Sequence, residues 1–199
     1  MQLWYARTSP FARKVRVVAC ELGLHDRIEL IEVDPWTDSR LRELNPLAKV
    51  PTLVLDDGSV LLESAVICDY LDALNLPQRL HPSSGPARWQ ALLSQGLADG
   101  ALSAAGRLYA DEHRSAHERS SAMMERFQHA IDASLDAFDT RWLPDGCDLT
   151  IGHVAMAVLM GYLDFRWPQR NWRANRPALA AWFDVFDQRP SMIATRHSG

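Results

Sequence analysis

The stretch Ser9-Pro10-Phe11-Ala12-Arg13-Lys14 closes a short apolar segment, residues 3–5, and opens an amphipathic one, residues 11–22. In a Cys-Pro-aromatic-x redox motif the first cysteine occupies such a junction, where helix amides and the helix dipole stabilise its thiolate. Serine stands there instead. A hydroxyl forms no disulfide, but it can donate a hydrogen bond to the thiolate of a small molecule brought in from solution. The same residues also suit an ordinary helix start, with Ser9 as N-cap and Pro10 in the first turn.

A second stretch, Asn45-Pro46-Leu47-Ala48-Lys49-Val50-Pro51, ends in a proline directly before a β-branched segment. If the Val50-Pro51 bond is cis, the chain turns there and presents the Val50 N–H and C=O to an extended peptide; a trans bond entering an edge strand is the alternative. Glu63-Ser64 stands where the next apolar segment gives way to a helical pattern. First-turn amides and the Ser64 hydroxyl could bind a carboxylate there while Glu63 accepts from an ammonium group, or the pair could simply cap the helix. Lys49 offers a cation for a second carboxylate, or stands solvated.

Elements that position these residues follow from periodicity. Residues 3–5, 28–33, 52–55 and 59–62 read as strands, the last two flanking Asp56-Asp57-Gly58, a hairpin signal. Helical spacing is found at 11–22 and 63–74, with a short helix near 38–43. The order βαβαββα implies a small mixed sheet carrying helices. Residues 75–86, with Pro77, Pro82, Pro86 and Ser83-Ser84-Gly85, read as a linker. Beyond it only helices are expected, at 87–110, 116–142, 150–165 and 177–187, the third apolar nearly all round as befits a domain centre. The expected division is an α/β domain at 1–76, a linker at 77–86 and an all-helical domain at 87–199.

Composition limits the function classes. The 199 residues are 47% hydrophobic and 23% charged, with a net charge of −4. Such a chain has no general attraction for nucleic acid or anionic membrane. No apolar run nears the roughly 20 residues of a membrane span, and Met1 lies so close to the first strand that no cleaved leader is expected, so a cytoplasmic setting is. Cys20, Cys68 and Cys147 are too few and too scattered for a disulfide framework or zinc site. His113 and His117 have metal-ligand spacing without a His-Glu-x-x-His motif, and no metal is expected. The basic, aromatic-rich run Arg166-Trp167, Arg170, Trp172-Arg173 and Arg176 suits a loop whose tryptophans pack inward better than a nucleic-acid surface.

A thiol at Ser9, a peptide backbone at Val50 and an α-amino-acid end at Glu63-Ser64 are combined in one tripeptide, glutathione. On these motifs, in their order and spacing, the chain resembles the cytosolic-type glutathione S-transferases over nearly its full length, most closely a bacterial subgroup. The resemblance implies a thioredoxin-like N-terminal domain, an all-helical C-terminal domain, and glutathione as co-substrate attacking a small hydrophobic electrophile or a peroxide, as in detoxification. It matches Ser9 to the thiol-activating position, with Thr8 and Tyr5 as alternatives, and Phe11 to the turn beside it. It matches Val50 and Pro51 to the cysteinyl backbone site, Lys49 to the glycyl carboxylate, and Glu63 and Ser64 to the γ-glutamyl pocket. It further implies a homodimer in which Asp99 reaches the partner's pocket, and an electrophile site including Leu102, Leu108 or Tyr109. The alternative is a non-catalytic binding or regulatory protein on the same fold. One departure concerns Thr150-Ile151-Gly152-His153, where the family commonly has Ser/Thr-x-x-Asp. Histidine is expected to be a poor substitute for the carboxylate, leaving Thr150 to cap alone or with Asp148.

Overall fold

A computed structural model of the protein describes residues 1–74, 80–143 and 148–198. Cys147 and the expected boundary at 76–77 lie outside the described residues. The chain forms two compact units, residues 1–85 together with 190–199, and residues 86–189.

In the first unit, β1 (Gln2–Tyr5), β2 (Glu29–Glu32), β3 (Thr52–Val54) and β4 (Val60–Leu62) make one sheet of order β2-β1-β3-β4. β1 and β2 run parallel, and β3 is antiparallel to both β1 and β4. The parallel crossover is α1 (Pro10–Glu21), whose Val15, Val17, Val18 and Ala19 are buried. α1 stops at Gly23, where φ of +67° suits a residue without Cβ, and the Leu24 N–H closes the turn on the Ala19 carbonyl at 2.8 Å. A 3₁₀ turn, His25–Arg27, follows it. The Asp56-Asp57-Gly58 hairpin forms as expected, with φ of +84° at Gly58. α2 (Ser39–Leu44) precedes β3, and α3 (Ser64–Ala73) packs against α1. Asp72, on α3 and 2% exposed, accepts the N–H groups of Leu80 and His81 at 2.6 and 2.9 Å and so anchors the chain after the helix.

The second unit holds α4 (Gly85–Glu112), α5 (Ser121–Thr140), α6 (Ile151–Arg166) and α7 (Pro177–Phe186). α4 buries Ala91, Ser94, Ala98, Leu102, Ala105 and Leu108, one stripe at helical spacing. α6 is buried along nearly all its length, as its apolar composition requires. The helix expected at 116–142 is shorter: residues 116–118 form a 3₁₀ turn, and Ser120 caps α5 by accepting from the Met123 N–H. The expectation at α6 is corrected in one respect. His153 Nδ1 accepts the Thr150 N–H at 3.2 Å, so histidine supplies the reciprocal arm of a capping box with a ring lone pair.

The basic run is absorbed within this unit. Arg173 grips both oxygens of Asp164 at 2.7 Å, Arg176 reaches Asp136 at 2.7 Å, and Arg170 pairs with Glu112. Trp167 and Trp172 are buried, each indole N–H bonded to one of these carboxylates. Leu102 and Leu108 are core residues, while Tyr109 carries the Arg166 guanidinium 4.1 Å from its ring centroid. Among the described residues no group of histidine, cysteine and acidic side chains could hold a metal ion, and no helix is long and apolar enough to cross a membrane.

The tail departs from expectation. Residues 190–198, assigned from sequence to the helical domain, pack with the first unit, where α8 (Pro190–Ala194) lies against α1.

Candidate functional site

Register brings the predicted stretches of the first unit to one end of its sheet. Trp4 pairs with Thr52, and Thr52 with Leu62. The residues that follow Tyr5, precede Thr52 and follow Leu62 therefore leave the sheet at the same end. These are the turn to Ser9, the Val50-Pro51 dipeptide and Glu63-Ser64.

Ser9 arrives through a turn closed by its own N–H on the Ala6 carbonyl at 3.0 Å. It has extended backbone angles and is the N-cap of α1, its Oγ accepting the Ala12 N–H at 3.2 Å. An oxygen used as acceptor in this way leaves the O–H proton to be directed outward. Thr8 is half-buried in the same turn. Tyr5 is buried at the end of β1, with the Arg16 guanidinium 5.2 Å from its ring centroid. Phe11, half-buried, is the second residue of α1 and has the Lys14 ammonium 6.0 Å from its ring. Arg7 donates from Nε to Glu32 at 2.8 Å, and this exposed ion pair raises the guanidinium pKa and ties the turn to the end of β2.

The Val50-Pro51 bond is cis. The turn that leads into it is built by a residue to which sequence reasoning gave no role. Asn45 is 1% exposed; its Oδ1 accepts the Leu47 N–H at 2.9 Å, and its Nδ2 donates to the Lys49 carbonyl at 3.0 Å and to Thr52 Oγ1 at 2.9 Å. Thr52 donates in turn to the same Lys49 carbonyl at 2.9 Å. This network spans the loop and sets the backbone before Val50. The Asn-Pro dipeptide, a turn-initiating pair, was the available signal. Lys49 itself projects into solvent.

Glu63 is exposed and has φ of +64° and ψ of 126°, a conformation that side-chain-bearing residues avoid, and its side chain makes no capping bond. The first backbone bond of α3 runs from Ile67 N–H to the Glu63 carbonyl, so the amides of Ser64, Ala65 and Val66 have no acceptor within the helix. Ser64, 5% exposed, lies in that first turn. The arrangement offers donors for a carboxylate and an acidic acceptor for an ammonium group, next to a hydroxyl-capped helix start. Asp99 stands on α4 in the second unit and is half-buried.

Comparisons with known proteins bear on what such an arrangement is for. Residues 8–74 match the family described as glutathione S-transferase, N-terminal domain, and residues 118–184 match its C-terminal domain. A glutathione transferase family member from Pseudomonas fluorescens Pf-5, solved with bound glutathione, is 35% identical, with 100% of this chain and 99% of that one covered and a TM-score of 0.95. A glutathione S-transferase from Methylobacterium radiotolerans, solved in complex with glutathione sulfonate, is 31% identical over 100% of this chain and 95% of that one, with a TM-score of 0.91. The GST-like protein YibF of Escherichia coli K12 is 29% identical across 98% of both chains. A thioredoxin-like sheet followed by a helical domain, with both halves of the sequence matched and full-length similarity to solved members, places this chain in the glutathione S-transferase family.

Proposed function

We propose that the protein binds glutathione at the end of the sheet where Ser9, Val50 and Glu63-Ser64 converge, and that the Ser9 hydroxyl holds the bound sulfur as thiolate for attack on a small electrophile or peroxide. The observation that carries this reading is the convergence itself, since each stretch matches one part of the tripeptide in chemistry. The Ala12 N–H fixes Ser9 Oγ, and the O–H donates to the sulfur. Val50 pairs its backbone with the cysteinyl residue, Phe11 and Pro51 flank it, and Lys49 meets the glycyl carboxylate. The α3 amides and Ser64 take the γ-glutamyl carboxylate, and Glu63 takes the ammonium group.

A free thiol titrates near ~8.5, and each unit of depression corresponds to ~1.4 kcal/mol of differential stabilisation. One charge-assisted hydrogen bond together with a helix N-terminus supplies about one to two units, enough to make much of the bound thiol reactive at neutral pH. No side chain need form a covalent intermediate: at a carbon electrophile the S–C bond forms as the leaving group departs, or as an activated double bond takes up a proton, and the conjugate leaves; at a peroxide the O–O bond breaks, the alcohol departs, and a second glutathione converts the resulting sulfenic acid to glutathione disulfide and water.

The active form in this reading is a homodimer, with Asp99 completing the partner's γ-glutamyl pocket. Trp89 and Leu93, a turn apart on α4 and 64% and 57% exposed, support it, because they continue through the exposed Gly96 and Gly100 as a face suited to a second helix. A cytoplasmic setting, where glutathione is held reduced, suits the chemistry. Retention on immobilised glutathione, followed by ultraviolet titration of the bound thiol, tests the proposal. Binding with a depressed thiol pKa is expected. Failure to bind at millimolar glutathione refutes it, and binding without depression favours a non-catalytic role.

A further inference from the structure

Residues 190–198 are tied along their length to α1 and to the turn before it. Arg13, a charged residue 3% exposed, donates from Nη2 to the Met192 carbonyl at 3.1 Å, and Arg16 donates to the Ala194 carbonyl at 3.4 Å. Ser191 is hydrogen-bonded to Glu21 at the far end of α1. The last carbonyls of a helix have no partner within it, so these two arginines complete the short α8 while α8 gives the Arg13 guanidinium an acceptor inside the unit. Beyond α8, His197 Nδ1 lies 3.1 Å from the Arg7 carbonyl. A carbonyl only accepts, so Nδ1 carries the proton in this bond.

Arg7 and Thr8 are the central residues of the turn that delivers Ser9, closed by the bond from Ser9 N–H to the Ala6 carbonyl. That turn has no ladder partner of its own and is held from two sides. Glu32 holds the Arg7 side chain, and His197 holds the Arg7 carbonyl. A hydroxyl that must meet a sulfur atom tolerates only a fraction of an ångström of misplacement, which makes the anchors of its turn part of its chemistry.

We infer that residues 190–198 act as a strap that sets the Arg7-Thr8-Ser9 turn, with His197 as the positioning residue that aligns the Ser9 hydroxyl through the Arg7 carbonyl. The consequence for the thiol rests on Ser9 being the sulfur-facing group, whereas the strap itself does not.

The test compares His197→Ala, which lacks the donor, with His197→Asn, whose amide N–H lies near the place of Nδ1. Amide exchange of the free protein, followed by mass spectrometry, reads the strap directly. Peptides covering residues 6–12 exchange several-fold faster in His197→Ala and return towards wild type in His197→Asn, while residues 52–62 stay unchanged in both and report that the sheet is folded. With glutathione bound, His197→Ala raises the thiol pKa and lowers kcat about three- to tenfold, the scale of one hydrogen bond, with little change in KM for glutathione; asparagine restores both. Unchanged exchange over 6–12, or a loss that asparagine does not restore, overturns the strap. A wild-type protein that leaves the bound thiol unshifted overturns the Ser9 reading instead, and the exchange comparison then decides the strap alone.

Discussion

The Asn45 side-chain amide donates to Thr52 Oγ1 across 2.9 Å, and both groups also reach the carbonyl of Lys49, so one buried pair holds the loop that ends at Val50. Asn45 and Thr52 are both buried. Asn45→Ala strips the Lys49 carbonyl and the Leu47 N–H of a partner, which costs about 1–3 kcal/mol. Because the freed backbone leads into Val50, glutathione affinity falls as well. Urea denaturation and calorimetric titration with glutathione check both effects; a variant as stable and as tight-binding as wild type removes the loop from the site.

The contrast between Ser9 and Asn45 shows what the sequence made legible. Ser9 was found because an N-cap is a local device, readable from the residues immediately following it. Asn45 closes its loop through bonds to positions 47, 49 and 52, and only the folded loop shows which of its atoms face inward. The strain at Glu63 was equally invisible, since nothing in its side chain announces a positive φ. At His153 the expectation weighed charge, whereas the cap requires only a lone pair in the right place. Segment 190–198 was misassigned for a different reason. Its helix is too short to show periodicity, and its partners on α1 lie as much as 179 positions away.

Removing the Ser9 hydroxyl tests two roles that separate cleanly. Ser9→Ala loses the cap of α1, about 1 kcal/mol, and raises the pKa of bound glutathione. Ser9→Gly retains most of the cap, giving up only a few tenths of a kcal/mol, and still raises the thiol pKa. Both should leave glutathione affinity largely intact, because the proposed γ-glutamyl contacts lie at Glu63 and Ser64. A thiol pKa unchanged in both variants transfers the role to Thr8 or Tyr5.

Cys20 is expected to be inert where glutathione is reactive. Burial pushes its thiol pKa up, with Glu21 and Asp26 adding to the rise and Arg16 opposing it. Burial disfavours the thiolate, so near neutral pH the residue stays protonated, and alkylation accelerates only above the ordinary thiol range. In linkage terms the folded value exceeds the unfolded one; its contribution to stability is therefore full at neutral pH and is lost as pH rises through the folded value. Peptide-resolved mass spectrometry after iodoacetamide treatment at increasing pH checks this, and labelling of Cys20 at pH 7 as fast as free cysteine contradicts it.

Two glycines of the helical unit are expected to respond with opposite signs. A Cβ on Gly152 would meet Ser94 Cβ at 2.7 Å and the Ala91 carbonyl at 3.0 Å, both fixed on α4. Overpacking of about 1–3 kcal/mol then outweighs the ~1 kcal/mol that alanine gains in helix propensity. At Gly106 nothing lies within 4 Å of the added atom, and Gly106→Ala is expected to stabilise by about 0.5–1 kcal/mol. Thermal denaturation of the two variants reads the difference; a stabilised Gly152→Ala rules out the close approach of α6 to α4.

Glu63 combines a strained backbone with a candidate binding role, and the two can be set against each other. At φ of +64° and ψ of 126° a residue with Cβ carries strain on the order of 1–3 kcal/mol, and no capping bond from the Glu63 side chain offsets it. Glu63→Gly relieves that strain and returns about 0.5–1 kcal/mol of it through the greater freedom of the unfolded chain, so the variant should be slightly more stable than wild type. It also deletes the carboxylate proposed to receive the γ-glutamyl ammonium group, and glutathione affinity should fall at least tenfold, as loss of a charged hydrogen bond implies. Glu63→Gln keeps the strain and loses only the charge, so its stability should match wild type while its affinity falls. Chemical denaturation and glutathione titration on the same variants decide the matter. A destabilised Glu63→Gly means the backbone there is not strained, and unchanged affinity in both variants means that Glu63 does not face the ligand.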